Sequence, residues 1–127
     1  MPEKALISIV DDDESVREAT KGLMKSLGLS AQTFACAEDF LGSDQLQCTR
    51  CLIADVQMPV MSGLDLYRQL LAAGTSIPTI LITAYPDDNV RARALNAGVI
   101  CYLIKPFSED DLLECIRTAL GGDANGP

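Results

Sequence analysis

A chain of 127 residues, 48% hydrophobic and with a mean hydropathy of +0.17, is sized for one domain with one packed core and is too apolar to stay disordered. Its net charge of -8 and pI near 4.3 argue against nucleic acid or an anionic membrane as a direct partner, and fit a soluble protein that attracts cations or basic partners. The complete absence of histidine removes Ser-His-Asp and Cys-His machinery and most catalytic zinc sites, so any acid, base or nucleophile must come from other side chains.

The chain opens on MPEKALISIV, too short a lead before its acidic cluster to be a signal peptide, and no apolar run approaches a membrane span, so a cytoplasmic location is expected. ALISIV (5–10) reads as a strand apolar on both faces, and IVDDDE then gathers four acidic side chains at its end. In ESVREATKGLMKSLG the residues Val16, Ala19, Leu23, Met24 and Leu27 recur at helical spacing, with Asp13 as N-cap and Gly28 as a stop. AQTFA is a weaker strand and AEDFLGS a short helix. CTRC places Cys48 and Cys51 at the spacing of a zinc or redox pair, but the pair precedes the strand CLIAD (51–55) rather than opening a helix after one. Ordinary thiols are therefore expected there, and all five cysteines are expected reduced. A loop with Pro59 and Gly63 leads to the helix LDLYRQLLAAG, then to the strand PTILITA. DDNVRARALNAG is a helix with an acidic first turn and Gly98 at its end. VICYLI is a fifth strand, and SEDDLLECIRTAL a last helix with Ser108 as N-cap. GGDANGP has linker composition, so a domain over 1–121 and the start of a linker at 122–127 are expected.

A strand-helix unit repeated in this way predicts a parallel sheet with helices on both faces: a flavodoxin-like, doubly wound α/β fold of order 2-1-3-4-5. In such a fold, sites form beyond the carboxyl ends of the strands. The first strand delivers Asp11 and Asp12 there, the third Asp55, the fourth Thr83 and the fifth Lys105. Crowded carboxylates raise one another's pKa unless a cation sits among them, and an all-oxygen ligand set suits Mg²⁺ or Mn²⁺. Such an ion attracts phosphoryl oxygens, with Lys105 and Thr83 completing the clamp, and a carboxylate is then the natural phosphoryl acceptor. Taken singly, a Thr at a strand end is usually structural and a Lys usually a solvated charge. Four of five strands ending in polar groups on one side is what favours the site.

IVDDD, LIADVQMPVMSGLDL, ILITAY and CYLIKPF together resemble the signature segments of the receiver domain of two-component response regulators, in order from about residue 4 to residue 120, with a weaker likeness to the FixJ-like subgroup. The resemblance implies Asp55 as phosphoacceptor, Asp12 as a direct Mg²⁺ ligand, Asp11 acting mostly through water, and the Gln57 backbone carbonyl as a further ligand. It implies that Lys105 pairs with Asp55 and then with its phosphoryl group, that Thr83 moves to that group, and that the rotamer of Tyr102 follows. Ala84 would leave the phosphoryl group room, and Gln57 and Tyr85 would tune hydrolysis. The donor would be a histidine kinase or phosphotransfer protein. The output would be read on the face of the fourth helix, fifth strand and fifth helix, which often dimerises in relatives, and a C-terminal effector domain would make any nucleic-acid contact. The chain would be no enzyme in the ordinary sense, though it would assist its own phosphotransfer and dephosphorylation. Tyr85-Pro86 departs from FixJ-like relatives. Pro86 either stiffens the loop that must move with Thr83 or helps start the fourth helix.

Two other readings remain. A haloacid-dehalogenase-type phosphatase would use Asp11-Asp12-Asp13 as its nucleophile motif, but lacks a later acidic pair after a strand, since Asp110-Asp111 begin a helix. A receiver-like docking module without phosphate chemistry would have no use for the full residue set.

Overall fold

The computed structural model of the chain describes residues 5–121, so the expected linker at 122–127 lies outside the described residues. Five parallel strands form one sheet in the order β2-β1-β3-β4-β5: β1 (Leu6–Val10), β2 (Ser30–Phe34), β3 (Thr49–Asp55), β4 (Thr79–Thr83) and β5 (Cys101–Ile104). The helices between and after them are α1 (Glu14–Ser26), α2 (Ala37–Leu41), α3 (Gly63–Ala72), α4 (Asp88–Ala97) and α5 (Glu109–Leu120). This is the flavodoxin-like arrangement that the alternation predicts.

The period of two along each strand sorts the core into two layers. On β3, Cys51 and Ile53 join Ile7, Ile9, Ile80 and Ile82 in the layer that takes Met24 of α1 and Leu112 and Ile116 of α5. Leu52 and Ala54 point the other way, into the layer holding Phe40 of α2, Leu66 and Leu70 of α3 and Ala94 of α4. Each fully buried side chain of this size contributes roughly 1.5–3 kcal/mol. With both faces covered, the central strands read as continuous apolar runs.

The helix ends follow the sequence signals. Asp13 caps α1 by accepting from Ser15 N (2.9 Å) and Val16 N, and Ser108 caps α5 by accepting from Asp111 N at 3.0 Å. Gly98 closes α4 at φ +113°, where a Cβ would also meet the Tyr67 hydroxyl at 2.7 Å. Pro86 is not in the first turn of α4, whose N-cap is Asp87, so it belongs to the loop. A short 3₁₀ turn at Leu46–Cys48 has no forerunner in the periodicity, because three residues are too few to show one. The cysteines require one correction. Cys101 on β5 and Cys115 on α5 are paired as a disulfide with Cα atoms 6.1 Å apart, while Cys36, Cys48 and Cys51 are free. Composition pointed to five thiols; packing of α5 against β5 brings these two together. Cys51 is buried in β3 and its thiol is pushed up to about 12 by burial, while Cys48 is exposed. No helix among the described residues is long and apolar enough to cross a membrane.

Candidate functional site

The sheet register decides which side chains meet. Val10 pairs with Ala54, so Asp11 follows β1 at the level where Asp55 ends β3. Asp55 pairs with Ile82, and Thr83 pairs with Ile104, the residue before Lys105. Backbone bonds continue the ladder past the strand ends, with Val56 N donating to Ile82 O at 2.8 Å and Lys105 N to Thr83 O at 2.7 Å. Asp11, Asp12 and Asp55 thus converge, each offering a carboxylate oxygen within 4.8 Å of the others, with Asp11 and Asp55 buried and Asp12 exposed. The set is all hard oxygen and reaches solvent on one side, which fits a divalent cation of the Mg²⁺ type. A cavity of about 230 Å³ opens over it, lined by Asp12, Asp13, Asp55, Gln57, Ala84, Tyr85 and Lys105.

The Lys105 ammonium lies between two of these carboxylates, 3.0 Å from Asp11 Oδ2 and 3.5 Å from Asp55 Oδ2. Its shorter contact is with Asp11. That carboxylate is fully buried, and its other oxygen accepts from Asp13 N at 2.9 Å. Burial pushes the Asp55 carboxyl up to about 6; the Asp11 charge adds to this, while Lys105 and the Gln57 N–H pull against it. Burial alone would lower the Lys105 ammonium, but its hydrogen bond to Asp11 and the charges of Asp11 and Asp55 hold it above its ordinary value.

Two further residues support the constellation. Gly63, at the start of α3, lies against β3: a Cβ there would stand 2.5 Å from the Asp55 carbonyl oxygen. Arg17 donates from Nη1 to the Asp11 carbonyl at 2.7 Å, tying α1 to the acidic loop. Sequence reasoning missed Arg17. The signal available was a cation near the N-terminus of a helix, where the helix dipole disfavours one.

On the other side of Asp55 the contacts are uncharged. Thr83 is fully buried; its hydroxyl donates to Gln57 Oε1 at 2.6 Å and accepts from Tyr85 N at 2.9 Å. Gln57 Nε2 donates to Tyr85 O at 3.4 Å, and Gln57 N to Asp55 Oδ1 at 3.3 Å. Tyr102 does not bond to Thr83 directly. Its hydroxyl accepts from Asp87 N at 3.2 Å, which joins β5 to the cap of α4.

The sequence matches the family model of the response regulator receiver domain over residues 7–117, nearly the whole described chain. The chain belongs to that family. As a receiver domain it is 47% identical to the response regulator protein TmoT of Ectopseudomonas mendocina over 119 residues, 93% of this chain and 54% of TmoT. It is 33% identical to the transcriptional regulatory protein FixJ of Azorhizobium caulinodans over 124 residues, 98% of this chain and 59% of FixJ. The chain therefore spans little more than half the length of these relatives. Among solved structures, response regulator StyR superposes with a TM-score of 0.87 at 41% identity, over 97% of this chain and 62% of that one. The FixJ-N crystal structure gives 0.83 at 31% identity, over 94% and 95%. Membership in this family sets aside the phosphatase reading.

Proposed function

We propose that this receiver domain takes a phosphoryl group onto Asp55 from a phosphohistidine on a partner histidine kinase or phosphotransfer protein. The observation that carries the reading is the meeting of Asp11, Asp12, Asp55 and Lys105 at one sheet edge. With its carboxyl near 6, Asp55 is mostly ionised at neutral pH and free to act as nucleophile. Its oxygen bonds to phosphorus as the P–N bond of the donor breaks, and the imidazole nitrogen keeps that electron pair and takes up a proton. Asp12, Asp55 and the Gln57 backbone carbonyl would hold a Mg²⁺ or Mn²⁺ ion, with Asp11 acting mostly through water. The ion supplies charge neutralisation at the phosphoryl oxygens. Lys105 is a fixed cation beside the acceptor, Ala84 leaves room above it, and Thr83 donates to the phosphoryl group once formed.

Movement of Thr83 shifts the population of conformers, and the rotamer of Tyr102 follows. Gln57 and Tyr85, at the rim of the cavity, tune hydrolysis of the acyl phosphate, which the domain itself assists. The name of the transcriptional regulatory protein FixJ and the greater length of both relatives support a transcriptional output through a further domain. In this reading the receiver spans 1–121, the effector domain follows it, and the protein is cytoplasmic. The α4-β5-α5 face is the surface on which a homodimer would form.

Acetyl phosphate with Mg²⁺ tests this. Wild type gains one phosphoryl group by mass, Asp55→Asn gains none, and Asp11→Asn keeps an acceptor. Labelling that survives Asp55→Asn sinks the assignment. A wild type that neither labels nor responds to beryllofluoride would instead be a docking module.

A further inference from the structure

The hydroxyl that would bind the phosphoryl group is already engaged. Thr83 Oγ1 donates to Gln57 Oε1 at 2.6 Å, and a hydroxyl carries one proton. One of its two lone pairs accepts from Tyr85 N at 2.9 Å, and Gln57 Nε2 returns to Tyr85 O at 3.4 Å. These three bonds close a ring between the loop after β3 and the loop after β4. The ring is anchored beside the phosphoacceptor, because Gln57 N donates to Asp55 Oδ1.

From this we infer that the Gln57 carboxamide is a latch: it holds Thr83 and the β4–α4 loop in the resting arrangement and competes with the phosphoryl group for the Thr83 proton. The inference rests on Asp55 being the phosphoacceptor and adds a role for Gln57 as a positioning residue, separate from any effect on hydrolysis. The exchange is lopsided. Thr83 gives up a neutral acceptor for a charged one, which makes the stronger bond. Gln57 is exposed, so its freed carboxamide is taken up by water. The latch therefore sets a threshold for activation without preventing it.

Beryllofluoride with Mg²⁺, titrated into the full chain and followed through the Thr83 and Tyr85 amide shifts, reads the threshold without hydrolysis. Gln57→Met keeps the side-chain length and the backbone carbonyl but removes the strong acceptor. It is expected to bind beryllofluoride roughly 2- to 10-fold tighter, the span of one ordinary hydrogen bond. In a Thr83→Ala background the same change is expected to have no effect. Equal tightening in that background means that Gln57 acts on the anion directly and overturns the latch, as does unchanged or weaker binding by Gln57→Met alone. A second readout needs no anion. The Thr83 hydroxyl proton is expected to be visible and slow to exchange in wild type, and lost in both Gln57→Met and Gln57→Ala. A wild-type hydroxyl proton in fast exchange overturns the latch whatever beryllofluoride does. A visible proton with no beryllofluoride response overturns the phosphoacceptor reading instead, and with it the competition.

Discussion

The two halves of the site are held in different ways. On the β1–β3 side, Asp11 follows β1 and Asp55 ends β3, both with almost no exposed surface, Asp11 is fixed by Lys105, Arg17 and Asp13, and Gly63 lets α3 close on the Asp55 backbone. On the β4–β5 side, Thr83 is buried but the next residues are exposed, β5 is only half-buried, and Ala94 is the one buried residue of α4. The first half holds charges that would otherwise repel and must not give way. The second is bound by a few neutral hydrogen bonds and one ring, Tyr102, reaching the cap of α4. Few buried contacts mean low local opening energy, so a signal arriving at Asp55 is expected to move the second half and leave the first in place.

Loosening the rigid half should have the largest effect. In Gly63→Ala the new methyl carbon stands 2.5 Å from the Asp55 carbonyl oxygen and 3.0 Å from Leu81 Cδ2, and neither a strand backbone nor a fully buried leucine can retreat freely. A loss of about 3 kcal/mol is expected in urea denaturation, as for an overpacked core, together with loss of labelling by acetyl phosphate as Asp55 is displaced. Wild-type stability with intact labelling would show that the strand end yields more than its burial implies.

The charge stored in this half gives a second, smaller effect. Asp55 holds its proton more tightly folded than unfolded, so its contribution to stability is whole below its ordinary value of 3.8 and is lost as pH rises through about 6. Asp55→Asn carries no such charge. Without divalent cations, the variant is expected to be more stable than wild type by about 2 kcal/mol at pH 7.5, the gap closing below pH 4. If the folded carboxylates hold Mg²⁺ as proposed, added Mg²⁺ should narrow it from the wild-type side. Thermal melts of both proteins across this range, with and without Mg²⁺, check the sign. A variant less stable than wild type at pH 7.5 without metal would mean that the Lys105 contact outweighs burial.

The strand ends were the legible part of both halves. Asp11, Asp12, Asp55, Thr83 and Lys105 could be placed from sequence because each ends an apolar run whose length is fixed by the sheet, and a parallel sheet puts all such ends on one edge. The helix caps at Asp13 and Ser108 were legible because they are local. The partners chosen across loops were not. That Lys105 lies nearer Asp11 than Asp55, or that the Thr83 proton goes to Gln57, depends on rotamers of side chains far apart in sequence. The Cys101–Cys115 pairing was hidden for a similar reason: one residue is read by a period of two and the other by 3.6, and nothing local says that the two patterns face each other.

The smallest effect lies in the loop that joins the halves. Val60 sits at φ +72° and is 92% exposed, a β-branched residue in the left-handed region with no packing to compensate. The left-handed conformation costs roughly 1–2 kcal/mol for a side chain with a Cβ, and Gly loses about 0.5–1 kcal/mol more entropy on folding. Val60→Gly is therefore expected to raise stability by about 0.5–1 kcal/mol in urea denaturation. Its value lies in what labelling then does. Val60 stands three residues beyond Gln57 and three before Gly63, so it joins the segment proposed to answer to phosphate to the segment packed against β3. If Gly63 and the Asp55 contacts alone fix the rigid half, the variant gains stability and labels at the wild-type rate. If the strained turn instead presses the Gln57 segment into place, relaxing it frees that segment, and the labelling rate changes even as stability rises.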